Sequence, residues 1–282
     1  MQDCCIVLNP NARAARQMQL LDQLTQVARG ATIRVTSAPG DAEGLARAAA
    51  KEGFRTVIAA GGDGTVNEVL CGIVGTSTRL GVLPVGTVNV FARELGLPLD
   101  WEEALVRILH GTERTVDVGW ANGVPFAQLA GVGFDAEVIA AVTPRSKTLL
   151  GPGAYLLSAF AQMGRPRPVL RVEGEGLPVV EGVWVLVGLG RFYGGPLDVF
   201  PRASNTDGLL DVLVVKDLGL AASLGYLAGL PFGWHTRLQG VEYFQTRSLR
   251  VEGDAALELD GEARGRGSVD FRVSQKLLTV LT

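Results

Sequence analysis

Over the first part of the chain, up to about Thr115, short apolar runs alternate with segments whose apolar residues recur at helical spacing. Short apolar runs predict buried strands, and a period of three to four residues predicts helices. The predicted strands are Cys4–Leu8, Ala31–Thr36, Thr56–Ala60 and Leu80–Pro84, and the predicted helices are Ala14–Ala28, Ala42–Glu52, Val66–Val74 and Trp101–Leu109. This alternation predicts an α/β domain with a Rossmann-like parallel sheet and helices on both faces.

After Thr115 the strand-like runs follow one another more closely. They are Thr115–Trp120, Phe126–Ala130, Val169–Val172, Val179–Leu189, Leu209–Val215, Leu249–Glu252, Leu257–Leu259, Val269–Val273 and Leu277–Leu281. The pattern predicts a mainly antiparallel β-sandwich with helical inserts at Lys147–Met163 and Leu218–Leu230. We predict an α/β nucleotide-binding domain over residues 1–118 and a β-rich lipid-substrate domain over 119–282. The tail, residues 276–282, is compatible with packing on either domain.

The most informative string is Gly61-Gly62-Asp63-Gly64-Thr65-Val66-Asn67-Glu68, which follows a predicted strand and leads into a predicted helix. Glycines let backbone N–H groups approach an anion closely, and the helix start adds unpaired N–H groups and a positive dipole end. Ligands of parallel sheets bind beyond the carboxyl ends of the strands. Asn9-Pro10 and Pro84–Asn89 are expected at that same edge. A tight turn without a ligand is the alternative, but the whole string favours a polyphosphate site.

Composition excludes several classes of protein. The net charge of −3 argues against a general nucleic-acid binder, and the two histidines argue against a His-built metal centre. Three cysteines form neither a disulfide framework nor a Cys-x-x-Cys pair, which fits a reducing cytoplasm. No signal peptide is evident, and the most apolar later stretch, Leu218–Leu230, is too short to span a bilayer. We therefore expect a cytoplasmic protein without a transmembrane span.

Five strings, in order along nearly the whole chain, resemble the signatures of the diacylglycerol kinase catalytic-domain family, which includes sphingosine kinases and bacterial lipid kinases. They are Gly61–Glu68, Pro84–Arg93, Gly133–Ala136, Asp207–Asp211 and Asp260–Glu262. The chain departs from the family pattern twice. Asn11-Ala12-Arg13 stands where a Ser-Gly pair is common, and Val90 stands where the family often has Asp.

This resemblance implies an ATP-dependent kinase that phosphorylates a lipid hydroxyl with Mg²⁺. The implied nucleotide contacts are Asn9, Thr36, Gly61, Gly62, Asp63, Gly64, Thr65, Val66, Asn67 and Thr87. Phosphoryl transfer needs mainly positioning and charge neutralisation, which backbone N–H groups and hydroxyls supply. Asp63 cannot attract phosphate directly, so it acts through Mg²⁺ or braces the loop. The string is not a Walker loop, because no Gly-Lys-Ser/Thr follows the glycines.

Two Asp-Gly strings supply the remaining candidates. Glu262 is the expected proton acceptor for the attacking alcohol, with Asp260 as rival or partner; the alternative is a plain Asp-Gly hairpin. We expect a turn at Ala263–Gly267 after it. The resemblance implies a Mg²⁺ held by Asp207 and the backbone oxygens of Ser204 and Leu209, in a structural or a catalytic role. An ordinary Asp-Gly turn explains that string equally well.

The acceptor lipid needs an apolar slot, whose candidate lining residues are Tyr155, Phe160, Phe232 and Trp234; plain core packing is the alternative for each. We expect a peripheral approach to a membrane surface and no nucleic-acid partner, and a homodimer stays open. Two other functions remain open as well. One is an NAD kinase, which shares the Gly-Gly-Asp-Gly-Thr motif, and the other is a nucleotide-binding regulatory protein without catalysis, suggested by Val90.

Overall fold

The computed structural model describes residues 2–10, 17–141, 167–217 and 219–282. The chain divides into two compact units. The first comprises Met1–Val118, Gly194–Pro196 and Ser274–Thr282, and the second comprises Gly119–Tyr193 and Leu197–Val273. The helix predicted at Lys147–Met163, with Tyr155 and Phe160, lies outside the described residues.

The first unit has the predicted α/β architecture. Its opening strands are β1 (Cys4–Leu8), β2 (Thr32–Val35), β3 (Thr56–Gly61) and β4 (Arg79–Pro84). Its helices are α1 (Gln17–Val27), α2 (Asp41–Lys51), α3 (Asp63–Ile73), α4 (Val90–Glu94) and α5 (Trp101–His110). The parallel sheet is confirmed, and α4 is an addition, because five residues are too few to show a helical period.

These strands lie in the order β2-β1-β3-β4, and all three pairs are parallel. Leu8 pairs with both Val35 and Ala60, and Gly61 pairs with Pro84, so the four strands end together. The chain leaves β1 in one direction to form β2 and returns on its other side to form β3. The crevice between β1 and β3 is therefore a topological switch point, where parallel sheets bind ligands.

The second unit contains most of the remaining strands. They are the end of β5 (Glu113–Ala121), β6 (Val124–Phe126), β7 (Leu129–Gly133), β8 (Leu170–Gly174), β9 (Val180–Gly182), β10 (Trp184–Gly188), β11 (Phe192–Tyr193), β12 (Leu197–Asp198), β13 (Leu210–Val215), β14 (Val241–Thr246), β15 (Ser248–Glu252), β16 (Ala256–Leu259), β17 (Glu262–Arg266) and the start of β18 (Val269–Leu281). In the part of this unit that the structure describes, the helices are α6 (Phe134–Ala141) and α7 (Leu220–Gly229), and α7 is followed by 3-10 turns at Leu230–Phe232 and Trp234–Arg237.

The second unit is the predicted antiparallel sandwich. Six strands form a sheet in the order β14-β13-β10-β7-β16-β17. A second layer, made by β9, β8, β15 and the start of β18, shares an apolar core with it, including Val132, Val185, Val251 and Phe271. The opposite face of the six-stranded sheet is covered by α6 and α7, through residues such as Phe134 and Tyr226. Both faces of this sheet are therefore buried.

Several predicted boundaries were wrong in the second half. The run Phe126–Ala130 is divided between β6 and β7, because the N–H groups of Ala127 and Gln128 donate to Asp260. The run Val179–Leu189 likewise forms two strands, β9 and β10. In contrast, Val269–Val273 and Leu277–Leu281 belong to the single strand β18.

β18 begins in the second unit beside β15 and ends in the first, where Val280 pairs in parallel with Leu80. Lys276 interrupts its regular geometry with φ 48°, and its N–H donates to Asp117 Oδ1 at 2.7 Å. The last nine residues of the chain therefore belong to the α/β unit. Among the described residues, no helix combines the length and the apolar character needed to cross a membrane.

Candidate functional site

The switch point of the first unit is crossed by a hydrogen bond between two predicted site residues. Asn9 follows β1, and its Nδ2 donates to Thr65 Oγ1 at 3.0 Å. Its backbone N–H donates to Ala60 O at 3.0 Å, which extends the pairing of β1 with β3. The Thr65 side chain is buried. The loops after β1 and β3 therefore form one connected polar edge.

Close packing explains why positions 61 and 86 at this edge are glycine. A Cβ on Gly61 would lie 2.4 Å from Thr65 Oγ1, and a Cβ on Gly86 would lie 2.4 Å from Gly62 Cα. No real Cβ tolerates such contacts. The missing side chain at Gly61 therefore leaves room for Thr65 in the turn after β3, and the missing side chain at Gly86 lets the loop after β4 approach the loop after β3 at Gly62.

α3 starts at Asp63 with an open N-terminus. Gly62 is its N-cap and offers no side-chain hydrogen bond, so Asp63, Gly64 and Thr65 present their N–H groups at the sheet edge without a capping side chain. Val66 differs from its neighbours, because its N–H donates to Gly62 O at 3.1 Å and its side chain is buried. An open helix N-terminus of this kind favours an anion.

The Asp63 carboxylate lies against the start of α4. Its Oδ1 accepts the N–H of Phe91 at 3.2 Å, and the N–H groups of Val90 and Asn89 also stabilise its charge. Burial nevertheless raises the pKa of Asp63, since desolvation outweighs these donors. Of the two roles left open by the sequence, the geometry favours bracing: Asp63 caps α4 and ties the loop after β3 to the loop after β4.

Asn89 shapes the loop after β4, a role that sequence reasoning did not assign. It has φ 54°, a region that Asn tolerates better than most residues. Its Nδ2 donates to Pro84 O and Gly86 O at 3.1 Å each, and its Oδ1 accepts the Gly86 N–H at 3.1 Å. Thr87 is held exposed at the tip of this loop. The asparagine inside the string Pro84–Arg93 was the available signal.

Thr36 directly follows β2, and its N–H donates to Leu8 O at 2.9 Å, so it belongs to the same edge. Asn67 is buried inside α3, and its side-chain oxygen accepts a hydrogen bond from Cys71 Sγ at 3.1 Å.

Glu68 ends the string Gly61–Glu68, and sequence reasoning did not assign it a role. Its two carboxylate oxygens accept the N–H groups of Gly40 and Ala42 at 2.9 and 3.0 Å, so it caps α2. Part of the string therefore builds the fold.

In the second unit, Asp260 and Gly261 form the two-residue turn between β16 and β17. Their φ angles are 49° and 86°, and Leu259 pairs with Glu262, as in a type I′ hairpin. Asp260 Oδ1 accepts the N–H groups of Gln128 and Leu129 at 2.9 Å each, and Oδ2 accepts that of Ala127 at 2.8 Å. Both oxygens of this carboxylate are therefore engaged in holding the preceding loop.

Glu262 is the first residue of β17 and is partly exposed. Its side chain is 37% exposed and forms an ion pair with Arg264 at 2.9 Å. The turn predicted at Ala263–Gly267 is wrong, because β17 continues to Arg266 as the partner of β16. Glu262 thus stands at a strand start, where backbone pairing fixes its Cα and leaves the carboxylate in contact with solvent.

The Asp207 string forms a compact turn of oxygen-bearing groups. Asp207 is exposed, its Oδ1 accepts the Leu209 N–H at 3.0 Å, and its own N–H donates to Ser204 O at 3.3 Å. The three predicted metal ligands are therefore close along one loop. Within the described ranges, no cluster of three His, Cys, Asp or Glu side chains forms a metal site, so any cation here depends on backbone carbonyls.

Phe232 and Trp234 are not enclosed in a pocket or a core. Their side chains are 66% and 62% exposed, and their rings stack at a centroid distance of 5.0 Å. The alternative of plain core packing does not apply to these two residues, because core side chains are covered by protein, and their part in an apolar slot for the lipid stays a prediction. They form instead a surface pair, which we call the aromatic tip.

Comparisons with known proteins agree with this geometry. Residues 3–121 match the model of the diacylglycerol kinase catalytic domain, and residues 129–282 match that of the YegS C-terminal NAD kinase beta sandwich-like domain. A diacylglycerol kinase of Bacillus subtilis is 35% identical over 88% of this chain and 84% of that protein. A diacylglycerol kinase of Staphylococcus aureus is 33% identical over 94% of this chain and 88% of that protein.

A crystal structure of a diacylglycerol kinase from Bacillus anthracis superposes with a TM-score of 0.79 at 27% identity, covering 99% of this chain and 96% of that one. The matches to curated relatives and to this structure cover most of both chains, and the two domain models fall in the two halves of the chain. The chain therefore belongs to the diacylglycerol kinase catalytic-domain family.

Proposed function

We propose that this protein is an ATP-dependent lipid kinase, which transfers the γ-phosphoryl group of ATP to a hydroxyl of diacylglycerol or a related lipid. The observation that carries the proposal is the switch-point edge of the first unit. There the bond from Asn9 to Thr65 joins two strand-end loops beside the open N-terminus of α3. The family of the chain supplies the reaction class, and the names of its relatives supply the type of acceptor.

The edge suits a polyphosphate for electrostatic reasons. The N–H groups of Gly64 and Thr65 stand at the positive end of α3, where an anion is stabilised without a lysine. Gly86 lets the loops after β3 and β4 pack closely at Gly62, and Gly61 leaves room for the Thr65 side chain, so the anion contacts backbone donors directly. Asp63 and Asn89 hold these loops in place before nucleotide arrives. We propose Asn9, Thr36 and Thr87 as the other nucleotide contacts at this edge.

Glu262 is our proposed proton acceptor for the attacking hydroxyl, and Asp260 is the residue that holds its turn in place. This division is supported by the hydrogen bonds. Asp260 accepts three backbone N–H groups, whereas Glu262 keeps a partly exposed carboxylate. A base must have an oxygen that reaches the substrate proton. The ion pair with Arg264 is the contact that substrate would have to displace or share.

We propose Mg²⁺ as the cation of the reaction and Asp207 as the carboxylate of a second, separate cation site. One carboxylate with the carbonyls of Ser204 and Leu209 is a hard-oxygen donor set, which suits Mg²⁺ better than a soft metal. The exposed Asp207 side chain fits this role. A bound Mg²⁺ would neutralise charge on oxygen ligands, and the turn Ser204–Leu209 would be stabilised by it.

Labelled ATP should transfer its phosphoryl group to a lipid of a total lipid extract, and not to NAD. Purified protein is incubated with γ-labelled ATP, Mg²⁺ and either the extract or NAD, and the labelled product is separated and identified by mass. Asp254→Asn, which changes an exposed carboxylate bound to Arg266, is the control that should keep turnover. Label in NAD would establish an NAD kinase. ATP binding without label in any acceptor would favour a regulatory protein.

We further propose that the aromatic tip contacts the bilayer that holds the lipid substrate. Gly233, with φ 68°, reverses the chain between the two rings, and buried His235 fixes the base of the tip through a 2.8 Å contact from Nε2 to Val199 O. Residues 218–241 contain no acid, and their one charged side chain is Arg237. Aromatic rings and an adjacent cation suit the interface of an anionic membrane.

The double substitution Phe232→Ser/Trp234→Ser should weaken binding to anionic phospholipid vesicles about tenfold or more. The variant lacks the two aromatic rings whose transfer from water into the membrane interface favours binding. Vesicle flotation measures the bound fraction, and nucleotide affinity should not change. Leu99→Ser, at an exposed apolar residue of the first unit, is the matched control and should bind vesicles as the unmodified protein does. Equal vesicle binding by the double variant contradicts this proposal, and so does a loss of dimers instead of vesicle binding.

A further inference from the structure

Two buried carboxyl groups lie beneath the Asp260–Glu262 turn, and nothing proposed so far uses them. Asp135 is the second residue of α6 and is 4% exposed, and Glu258 lies on β16 and is fully buried. They face each other closely enough that each changes the pKa of the other. Fully buried acids are rare unless they are paired or neutral. The residues around the pair must therefore explain how two buried carboxyl groups are stabilised.

The sheet is built to admit the Asp135 side chain. Gly131 of β7 pairs with Glu258 of β16 on one side and with Leu186 of β10 on the other. A Cβ on Gly131 would lie 1.7 Å from Asp135 Oδ2, so only glycine leaves room for this carboxyl. Asp135 therefore sits directly on the sheet beside Glu258, on the face covered by α6 and α7. No other residue type at position 131 permits this placement.

Among the residues that the structure describes, no cation forms an ion pair with either group. The described titratable groups that act on the pair are the two carboxyls themselves, Asp260 beside Glu258, and the Tyr226 phenol of α7, which senses the charge of Asp135. The Trp184 indole N–H of β10 also lies near Asp135. In the part of the chain that the structure describes, neither Asp135 oxygen has a hydrogen bond of ordinary geometry, nor does Glu258 Oε1. The nearby donors are therefore too loosely aligned to balance two negative charges.

The other oxygen of Glu258 reaches the turn itself. Glu258 Oε2 accepts the Gly261 N–H at 2.7 Å, between Asp260 and Glu262. Burial raises the pKa of both Asp135 and Glu258. The Asp135 charge raises the pKa of Glu258 further, whereas hydrogen bonding to Glu258 partly offsets the rise in the pKa of Asp135. Two carboxyls in such a position cannot both ionise and instead hold one proton between them. That proton supplies the hydrogen bond that the unmatched oxygens of the pair otherwise lack.

We propose that Asp135 and Glu258 share one proton and act together as a positioning pair, which holds the Gly261 turn and so fixes Glu262 for catalysis. Loss of the proton places two negative charges side by side, separates the carboxyls and loosens the turn. Turnover then falls at alkaline pH because the Asp135–Glu258 pair ionises, and not because the substrate does. The catalytic part of this inference rests on the proposed kinase function, whereas the shared proton does not.

The shared proton is tested by the pH dependence of thermal unfolding. A buried acid whose pKa is raised stabilises the fold at low pH, and this stability is lost as pH rises through the folded-state pKa. We expect the unfolding midpoint to fall by about 3 °C per pH unit while the proton is lost. Asp135→Asn/Glu258→Gln, which has no such proton, should show a flatter profile. Asp63 and Asp211 are also buried acids with raised pKa values, so only the difference between the two proteins counts.

The positioning role is tested by kcat against pH. Glu258→Gln keeps an oxygen for the Gly261 N–H and donates to Asp135, so kcat near pH 7 should stay within about threefold of the unmodified protein, and the alkaline fall should move or vanish. Glu258→Ala removes that oxygen and should lower kcat about tenfold or more at every pH. Glu242→Gln, at an exposed carboxylate bound to Lys216, should change neither value.

Three results would overturn the inference. The double amide variant retains the full pH slope of the unfolding midpoint, or Glu258→Gln retains the unmodified alkaline fall of kcat, or Glu258→Ala retains full turnover. If the protein phosphorylates no lipid, the unfolding profiles still decide whether the pair shares a proton. Failure of the kinase proposal and failure of this inference are therefore distinguishable.

Discussion

Replacement of Glu262 by Gln is expected to lower kcat by about 10²–10⁴-fold, the usual cost of losing a general base. Gln has the same shape, and the first position of β17 depends on backbone pairing with Leu259, so the fold should not change. The unfolding midpoint and the affinity for ATP should therefore equal those of the unmodified protein. Steady-state kinetics with a lipid acceptor, thermal unfolding and nucleotide titration measure the three quantities.

Asp260→Asn is the informative comparison for Glu262→Gln. The amide oxygen can still accept the Gln128 and Leu129 N–H groups, but the NH2 group faces the Ala127 N–H, which is also a donor. This variant should therefore lose stability as well as turnover, by about 1–3 kcal/mol for a donor left without an acceptor. Arg264→Gln, which removes the ion pair between Arg264 and Glu262, should retain the fold. If Asp260→Asn keeps its stability and loses turnover while Glu262→Gln stays active, the base is Asp260.

The sequence was sufficient to predict the first unit because its signals are local. Each strand from β1 to β4 is a short apolar run bounded by polar turns, and one parallel edge follows from their alternation with helices. The bond between Asn9 and Thr65 was not predictable, since it joins residues 56 positions apart. The roles of Asp63 and Asn89 also depend on the way in which two loops meet, which no periodicity records.

The second unit was harder to predict because side chains there accept backbone N–H groups, which then do not pair with a neighbouring strand. Asp260 takes the N–H groups of Ala127, Gln128 and Leu129, and this divides an apolar run that alone predicts one strand. β17 was missed because Ala263–Gly267, with two glycines and two arginines, has the composition of a turn. The buried carboxyls Asp135 and Glu258 were also missed, because acids in a sequence pattern suggest solvent exposure.

The same distinction between local and long-range signals applies to the predicted site residues. The glycines and Thr65 lie at the sheet edge where the sequence places them, because backbone geometry and helix starts follow from local composition. Their contact with nucleotide stays a prediction. Asn67 and Glu68 belong to the same string, yet one is buried in α3 and the other caps α2. A family signature therefore combines residues for ligand contact with residues that shape the fold, and only contacts separate the two groups.

Replacement of Asp63 by Ala is expected to abolish phosphoryl transfer and to destabilise the protein by about 1–3 kcal/mol. The substitution removes the acceptor of the Phe91 N–H and of the charge-stabilising N–H groups beside it, so α4 loses its cap and the loop Pro84–Asn89 is no longer tied to α3. Chemical unfolding measures the stability, and nucleotide titration should show weakened ATP binding.

Asp63→Asn separates bracing from charge. Its Oδ1 still accepts the Phe91 N–H, and the raised pKa of Asp63 indicates that this site imposes a desolvation cost on the charged carboxylate. If Asp63 acts as a brace, Asp63→Asn should recover most of the stability and of the ATP affinity lost in Asp63→Ala. If Asp63→Asn is stable, binds ATP and still transfers nothing, the negative charge itself is required, and Asp63 acts through Mg²⁺. The kcat of Asp63→Asn at saturating ATP, compared with that of the unmodified protein, thus decides between the two roles that the sequence left open.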